Sequence, residues 1–447
     1  MIKSKDLLEK LAETAIVSSR VSGGREKVLI LNYIRNQLQT YNREEYLPVS
    51  SRLCLAELMT WQDRLDEALE LCNSIIDEYT FHQDAYLQKS KILIQMGSIG
   101  EAEEILSIIQ KANPHSAIFQ RYVAMCKFQS GRLTEGWEDA RAAFNFGNLK
   151  IRYNNMKRWT GEDLHNKTIV ISMLDIRGGG DEIFFSSALP KIIEKAKLCF
   201  IETEPRAFSL YKSSFSKSVV FNRGTEPWVE MGLSIDYHLW ARELPAYFFR
   251  KESDFPNSPG YLKLAFSEQK DWSEKVNKVS DNKKKIGICW TSLNVTGPAQ
   301  PFVSNLLDWE PILTLPDSVF INMHCLDGKE EVIAAEKKFN LKLIQFREAD
   351  FKNSFEHIAG MASACDLIIS VATTNGSVIP GALGLNVIEI RPSFNSISMD
   401  GLPWYPNHQR VYKPWNISYV SKLRDIADQI REWTPDKPVP KIRSTNL

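Results

Sequence analysis

A carboxylate behind three glycines is the first place in this chain where chemistry could be done. Gly178, Gly179, Gly180 and Asp181 follow a β-branched, apolar run at 168–174 and precede a stretch of helical character from 182 to 195. Strand, glycine-rich turn, helix is the order that brings backbone and polar side chains to the carboxyl end of a parallel sheet. Glycine tolerates positive φ and lets a substrate approach without interference from Cβ. An aspartate at such a junction has two uses. It can take the proton of an attacking hydroxyl, or it can cap the helix by accepting from free backbone N–H groups. The residues alone leave both open. The full G-x-G-x-x-G spacing is missing, so the glycines give no weight to a nicotinamide cofactor.

The second candidate is Thr373, Thr374, Asn375, Gly376 and Ser377, between an apolar run at 366–371 and a helical stretch ending near Gly384. Hydroxyls, an amide and free N–H groups at a helix start suit a diphosphate, although a Ser/Thr cluster is more commonly a plain N-cap. Charge for such a phosphate would come from Lys329 or Arg391, although each is more commonly an ordinary surface cation. His324 stands at a strand end within reach of a nucleotide, against the commoner structural use of a lone histidine. Tyr405, framed with Trp404 by Pro403 and Pro406, offers an apolar face and a polar tip to a sugar or base. Trp404 and Trp290 read as packing residues.

Several classes are set aside by composition. Fifty-five basic and 55 acidic side chains cancel, which gives no argument for nucleic acid. The seven cysteines are scattered, with neither C-x-x-C pairs nor metal-ligand spacing, and read as reduced core thiols. A metal site is therefore not expected. No apolar run is long enough to span a bilayer and the amino terminus lacks a secretory pattern, so the expectation is a cytoplasmic protein.

These candidates must be held by a scaffold, and its most regular part lies ahead of them. Asp63, Gly97 and Gly131 recur every 34 residues, as do Leu65, Ile99 and Leu133, and the small residues Ala56, Ser90 and Ala124. That period and phase resemble the tetratricopeptide repeat: paired helices that stack because one pair cannot bury its own apolar face, leaving a surface for a partner. Residues 1 to about 48 are expected to be a divergent or capping repeat. Strands are then expected at 168–174, 198–201 and 219–221, and, after a polar hinge at 283–285, at 286–290, 319–323, 341–345, 367–371 and 387–390. Helices fit between the later ones at 330–339, 355–364 and 378–383. The division is a repeat domain at 1–150, a first Rossmann-like domain at 151–282, a second at 283–420, and a carboxyl-terminal helix and tail at 421–447. The fold class is α plus α/β, with a cleft between two doubly wound sheets.

The order Gly131-Arg-Leu-Thr-Glu-Gly-Trp137, Arg158-Trp-Thr-Gly-Glu-Asp-Leu164, Gly178-Gly-Gly-Asp181, Ile286-Gly-Ile-Cys-Trp290, Asp366-Leu-Ile-Ile-Ser-Val371, Gly381-Ala-Leu-Gly384 and Pro403-Trp-Tyr-Pro406 resembles bacterial repeat proteins whose carboxyl-terminal part is like glycosyltransferase family 9, the ADP-heptose transferases. The resemblance implies a GT-B pair of Rossmann-like domains and an inverting, metal-independent transfer. A nucleotide diphosphate sugar would be co-substrate, a glycan or protein the acceptor, and no other cofactor is implied. It makes Asp181 the base, gives the acceptor side to 178–180 and Tyr405, and gives the donor side to 373–377, His324 and Lys329. The chain departs from the family in Ala372, where an aspartate is usual, in having no histidine between His357 and His408, and in having no Lys or Arg from Ser292 to Leu307. Those departures support the alternative of a non-catalytic binding module.

Overall fold

The computed structural model describes residues 49–146, 153, 155–173, 178–255, 260–292, 303–324, 329–391, 404–405 and 407–442, without the side chains of 144–146 and 329. The expected capping repeat at 1–48 lies outside them.

Three helical hairpins come first: α1 (Val49–Trp61) with α2 (Leu65–Glu78), α3 (Gln83–Met96) with α4 (Ile99–Ala112), and α5 (Ala117–Gln129) with α6 (Leu133–Phe146). Each reverses on a left-handed residue at the same phase, Asp63 (φ 57°), Gly97 (φ 88°) and Gly131 (φ 76°). Glycine reaches that region freely and aspartate is among the few side chains that tolerate it. Ala56, Ser90 and Ala124 are all buried, which allows the close helix approach that small residues predict.

Beyond the repeats stand two wholly parallel sheets. The first is built from β1 (Thr168–Ser172), β2 (Leu198–Thr203), β3 (Val219–Asn222) and β4 (Tyr237–Trp240), in the order β3-β2-β1-β4. The second contains β5 (Lys284–Cys289), β6 (Ser318–Asn322), β7 (Leu343–Ile344), β8 (Leu367–Val371), β9 (Val387–Arg391) and β10 (His408–Tyr412), in the order β10-β9-β8-β5-β6-β7. Counted within its own half, the second order is the full doubly wound pattern, and it reverses between β5 and β8; the first reverses between β1 and β4. Strands buried on both faces read as continuous apolar runs, which is why most were legible.

The intervening helices are α7 (Gly179–Phe185), α8 (Leu189–Lys195), α9 (Phe208–Ser214), α10 (Pro227–Glu230), α11 (Leu244–Phe248), α12 (Phe266–Ser280), α13 (Glu310–Leu313), α14 (Lys329–Phe339), α15 (Phe355–Ser363), α16 (Ile379–Ala382) and α17 (Tyr419–Ile430). The single helix expected over 182–195 is instead α7, a 3-10 turn at Ser186–Ala188, and α8. Ser186 turns its hydroxyl onto the Ile183 carbonyl at 2.7 Å, and Pro190 supplies no N–H to continue the ladder. α12 precedes the expected hinge and packs against α15 of the second sheet, with Trp272 over Gly360.

The repeats are bolted to both sheet units. From α6, Trp137 Nε1 donates to the Phe249 carbonyl (2.9 Å), Thr134 to that of Arg250 (3.1 Å), and Arg141 to the Tyr247 hydroxyl (3.1 Å). At the far edge of the second sheet, Tyr412 donates to the Gln95 carbonyl (3.3 Å), Lys413 lies 3.8 Å from Asp63, and Trp415 packs on the α1–α2 core. The α1–α2 turn and the end of α3 therefore rest against the second sheet unit, and α6 against the first.

Candidate functional site

α7 starts at the carboxyl end of the first sheet with Gly178 as its extended N-cap (φ −122°). Positive φ is not what these glycines supply. A Cβ on Gly179 would lie 2.3 Å from Phe355 of α15 and 2.8 Å from Glu204 Oε1, and one on Gly180 would lie 2.7 Å from Thr374 Oγ1. Space is what the chain needs there, because residues of the second sheet press directly on the turn. The substrate approach expected at Gly179 and Gly180 is thus replaced by protein contact, while Gly178 remains exposed.

Asp181 sits in the first turn of α7, exposed, and accepts no hydrogen bond from the described residues. The capping use leaves no trace in its contacts. A solvated carboxylate at a helix amino terminus, free of internal partners, is available to accept a proton from a hydroxyl brought to it.

Behind it, Glu182 is 1% exposed. Its carboxylate accepts from Thr203 Oγ1 at 2.5 Å and from the Glu204 amide at 3.1 Å, and Arg223 lies 3.4 Å away. Burial raises its pKa to about 7, against the pull of these donors. Arg223 also donates to the Met173 carbonyl at the end of β1 (2.9 Å). The sequence reading passed over this group; its signal was the second carboxylate of the Asp-Glu pair.

The 373–377 segment crosses the reversal point of the second sheet as a π-helical turn, Thr374–Val378. A Cβ on Gly376 would lie 2.0 Å from Ser370 Oγ of β8 and 2.6 Å from Cys289 Cβ of β5, so only glycine lets the turn lie across both strand ends. The hydroxyls are mostly spent within it. Thr373 Oγ1 accepts from the Gly376 amide (3.0 Å), and Ser377 Oγ donates to the Thr373 carbonyl (2.7 Å) while accepting from its amide (3.1 Å). Asn375 is 8% exposed and its Nδ2 is without a partner among the described residues.

The structure thus brings the two candidate turns together, Gly180 against Thr374, where the carboxyl ends of the two sheets face each other. The other candidates are placed differently. His324 is buried and stacked on Trp290 (centroids 4.7 Å apart), which makes its ring part of the packing. Lys329 opens α14. Arg391 is paired with Glu389 at 2.7 Å, so the phosphate-compensating charge considered for it is already engaged. Burial alone would raise the Glu389 carboxyl, but Arg391, His408 and Arg410 hold it well below the usual carboxylate range. Tyr405 is 5% exposed and stacks on His408, a packing position rather than an open substrate face. Trp404 is a packing residue as read: it donates to Ser187 Oγ (2.8 Å) and meets Trp137, Phe184, Phe249 and Phe255.

Among the described residues, buried polar atoms without a partner include Glu204 Oε1, Arg223 Nε, Thr291 Oγ1 and Asn375 Nδ2, one beyond each of β2, β3, β5 and β8. Native interiors seldom leave such atoms unsatisfied, and these four stand at the strand ends around the two turns.

Residues 62–126 match the tetratricopeptide-repeat family model. Protein FlbA of Caulobacter vibrioides is 27% identical over a match that takes in 74% of this chain; the chain spans 60% of that protein's length. Among solved structures, ADP-heptose lps heptosyltransferase II of E. coli aligns at 12% identity over 60% of this chain and 96% of its own, with a TM-score of 0.43. The glycosyl transferase family 9 protein from Veillonella parvula aligns at 12% identity over 59% and 91%, with a TM-score of 0.41. Within the described residues no helix is long and apolar enough to cross a membrane. The chain carries tetratricopeptide repeats joined to a pair of Rossmann-like parallel sheets.

Proposed function

We propose that the cleft transfers a sugar from a nucleotide diphosphate sugar to a hydroxyl acceptor, with inversion. The observation that carries this reading is the meeting of the 178–181 and 373–377 turns at the facing carboxyl ends of two doubly wound sheets. Asp181 takes the proton of the acceptor hydroxyl as its oxygen bonds to the anomeric carbon; the bond from that carbon to the phosphate oxygen breaks, and the nucleoside diphosphate leaves with the electron pair. Asn375 Nδ2, Thr291 Oγ1 and the amides of Thr374 and Asn375 are the donors for the leaving diphosphate. No metal ion enters this scheme, as the family resemblance implies. The repeat array presents a protein or glycan acceptor, or a partner that brings one.

A second reading, a nucleotide-sugar-binding module without transfer, is favoured by Arg391 being engaged with Glu389 and by the hydroxyls of Thr373 and Ser377 being spent in the turn. Titration with a panel of nucleoside diphosphates and nucleotide sugars, read by calorimetry, followed by release of nucleoside diphosphate in the presence of candidate acceptors, separates the two. Selective binding with acceptor-dependent release supports transfer. Binding without release supports the module, and absence of binding at millimolar ligand overturns both.

A further inference from the structure

We infer that Glu182 is a positioning residue for Asp181, holding the first turn of α7 in the register that presents the neighbouring carboxylate to the cleft. The kinetic part of this inference rests on the transferase reading; the structural part does not.

Glu182 carries the side-chain polar anchoring of that turn. Gly178, Gly179 and Gly180 offer no side chains, and Asp181 itself makes no hydrogen bond with the described residues. α7 has only seven residues, too few to be stable on its own hydrogen bonds. Farther along, the Tyr261 hydroxyl donates to the Ile183 carbonyl (2.6 Å) and Ile183 and Phe185 are buried; the first turn is attached through Glu182 to three places at once. Thr203 Oγ1 and the Glu204 amide tie the carboxylate to the end of β2. Arg223 reaches it from the end of β3 and donates to the Met173 carbonyl after β1. From α9, the Tyr211 hydroxyl donates to the Glu182 carbonyl at 3.1 Å.

A buried carboxylate with a single arginine partner is not an economical way to stabilise a helix end, since burial opposes the charge it must carry. An apolar side chain would pack there at lower cost. What a carboxylate adds is direction: one oxygen accepts from Thr203 and the Glu204 amide at the end of β2, and the other faces Arg223 after β3, which is itself bonded to the Met173 carbonyl after β1. Asp181 is the adjacent residue and shares that turn, so a displacement of Glu182 is a displacement of the base. A shift of 1 Å at a reacting group costs about 10²-fold in rate.

The charged and titratable groups facing Glu182 are Arg223 from β3, Glu204 from β2 with Arg206 paired to it, Tyr211 from α9, and Asp181 on its own helix. Burial, partly offset by Thr203, the Glu204 amide and Arg223, brings its pKa to about 7. The carboxylate, the form that pairs with Arg223, is lost as pH falls through that value. Stability runs the other way: a raised carboxyl pKa contributes stability that is present at low pH and lost as pH rises through about 7.

The test is Glu182→Gln in the full chain, with Thr203→Val as a second variant that removes only the hydroxyl bonded to Glu182. Both are expected to melt near the wild-type temperature at pH 8. In Glu182→Gln, kcat should fall about 10- to 100-fold with the KM for nucleotide sugar little changed. The wild-type acid limb near pH 7 should disappear, and Thr203→Val should show a smaller effect in the same direction. Hydrogen-exchange protection of amides 178–186, relative to intrinsic exchange, should rise as pH falls through about 7 in the wild type and be pH-independent in Glu182→Gln. Identical protection profiles in the two proteins, or a Glu182→Gln variant with wild-type kcat and acid limb, would overturn the inference. A difference in protection without turnover of any nucleotide sugar by either protein would sustain the positioning role and remove the transferase reading.

Discussion

The two turns that meet in the cleft look alike in sequence, each a run of small and polar residues after a buried strand, yet they use their residues in opposite ways. The 178–181 turn spends its glycines on contact with the second sheet and leaves Asp181 exposed, without a described partner. The 373–377 turn spends the hydroxyls of Thr373 and Ser377 on itself and its glycine on the strand ends beneath, leaving Asn375 Nδ2 buried without a partner among the described residues. Residue type advertised the hydroxyls of Thr373 and Ser377 as ligand groups. Local geometry assigns them to the turn, as short Ser/Thr side chains commonly bond nearby backbone.

If that contrast is right, Asp181→Asn should have the largest effect of any single change in the cleft: transfer lower by about 10²- to 10⁴-fold, with an unchanged melting temperature and unchanged nucleotide binding. Steady-state kinetics beside calorimetry would show it, and wild-type turnover would remove Asp181 as the base. Gly376→Ala comes next and acts through packing. Its Cβ would stand 2.0 Å from Ser370 Oγ, in a place where two strands and a turn already meet. Overpacking of that kind costs about 1–3 kcal/mol, and the upper end is expected here. Urea denaturation should report the loss, and donor binding should weaken with it because the turn is displaced.

How much of this was readable beforehand follows from the range of the interactions involved. The repeats were legible because their turns are local: a left-handed residue at 63, 97 and 131 is required whatever the rest of the chain does. Strand β8 was legible over its full length because its five residues are all buried and apolar except Ser370. β10, His-Gln-Arg-Val-Tyr, was not, since His408 and Arg410 are tolerable in a sheet only once Glu389 of β9 lies beside them. β4 was missed for a related reason: His238 and three large side chains in four residues show no alternation, and its burial on both faces comes from distant segments. In the site, the strand ends and Asp181 could be read, but the meeting of Gly180 with Thr374 could not. That contact joins residues 194 positions apart and exists only after both sheets have formed. Tyr405 shows the same limit in reverse, an aromatic of suitable type whose surroundings bury it.

Asn375→Ala tests the buried group of the 373–377 turn that has no partner among the described residues. Because Nδ2 has no partner among the described residues, its removal should cost little stability, while a hydrogen bond to bound nucleotide worth about 1–1.5 kcal/mol would be lost, roughly a tenfold rise in Kd. Ser377→Ala is the smallest change and the sharpest check on the contrast, because it predicts the reverse pattern. The Ser377 hydroxyl both donates to and accepts from the Thr373 backbone, so removing it should lower stability by about 1 kcal/mol and shift nucleotide affinity only as far as the turn loosens. Measured side by side by denaturation and calorimetry, the two variants should fall on opposite axes, Asn375→Ala weakening binding at constant stability and Ser377→Ala weakening stability at nearly constant binding. A Ser377→Ala protein that is fully stable but binds nucleotide tenfold more weakly would mean that the hydroxyl turns outward to the ligand, and the distinction between the two turns would collapse into the simpler reading that sequence alone suggested.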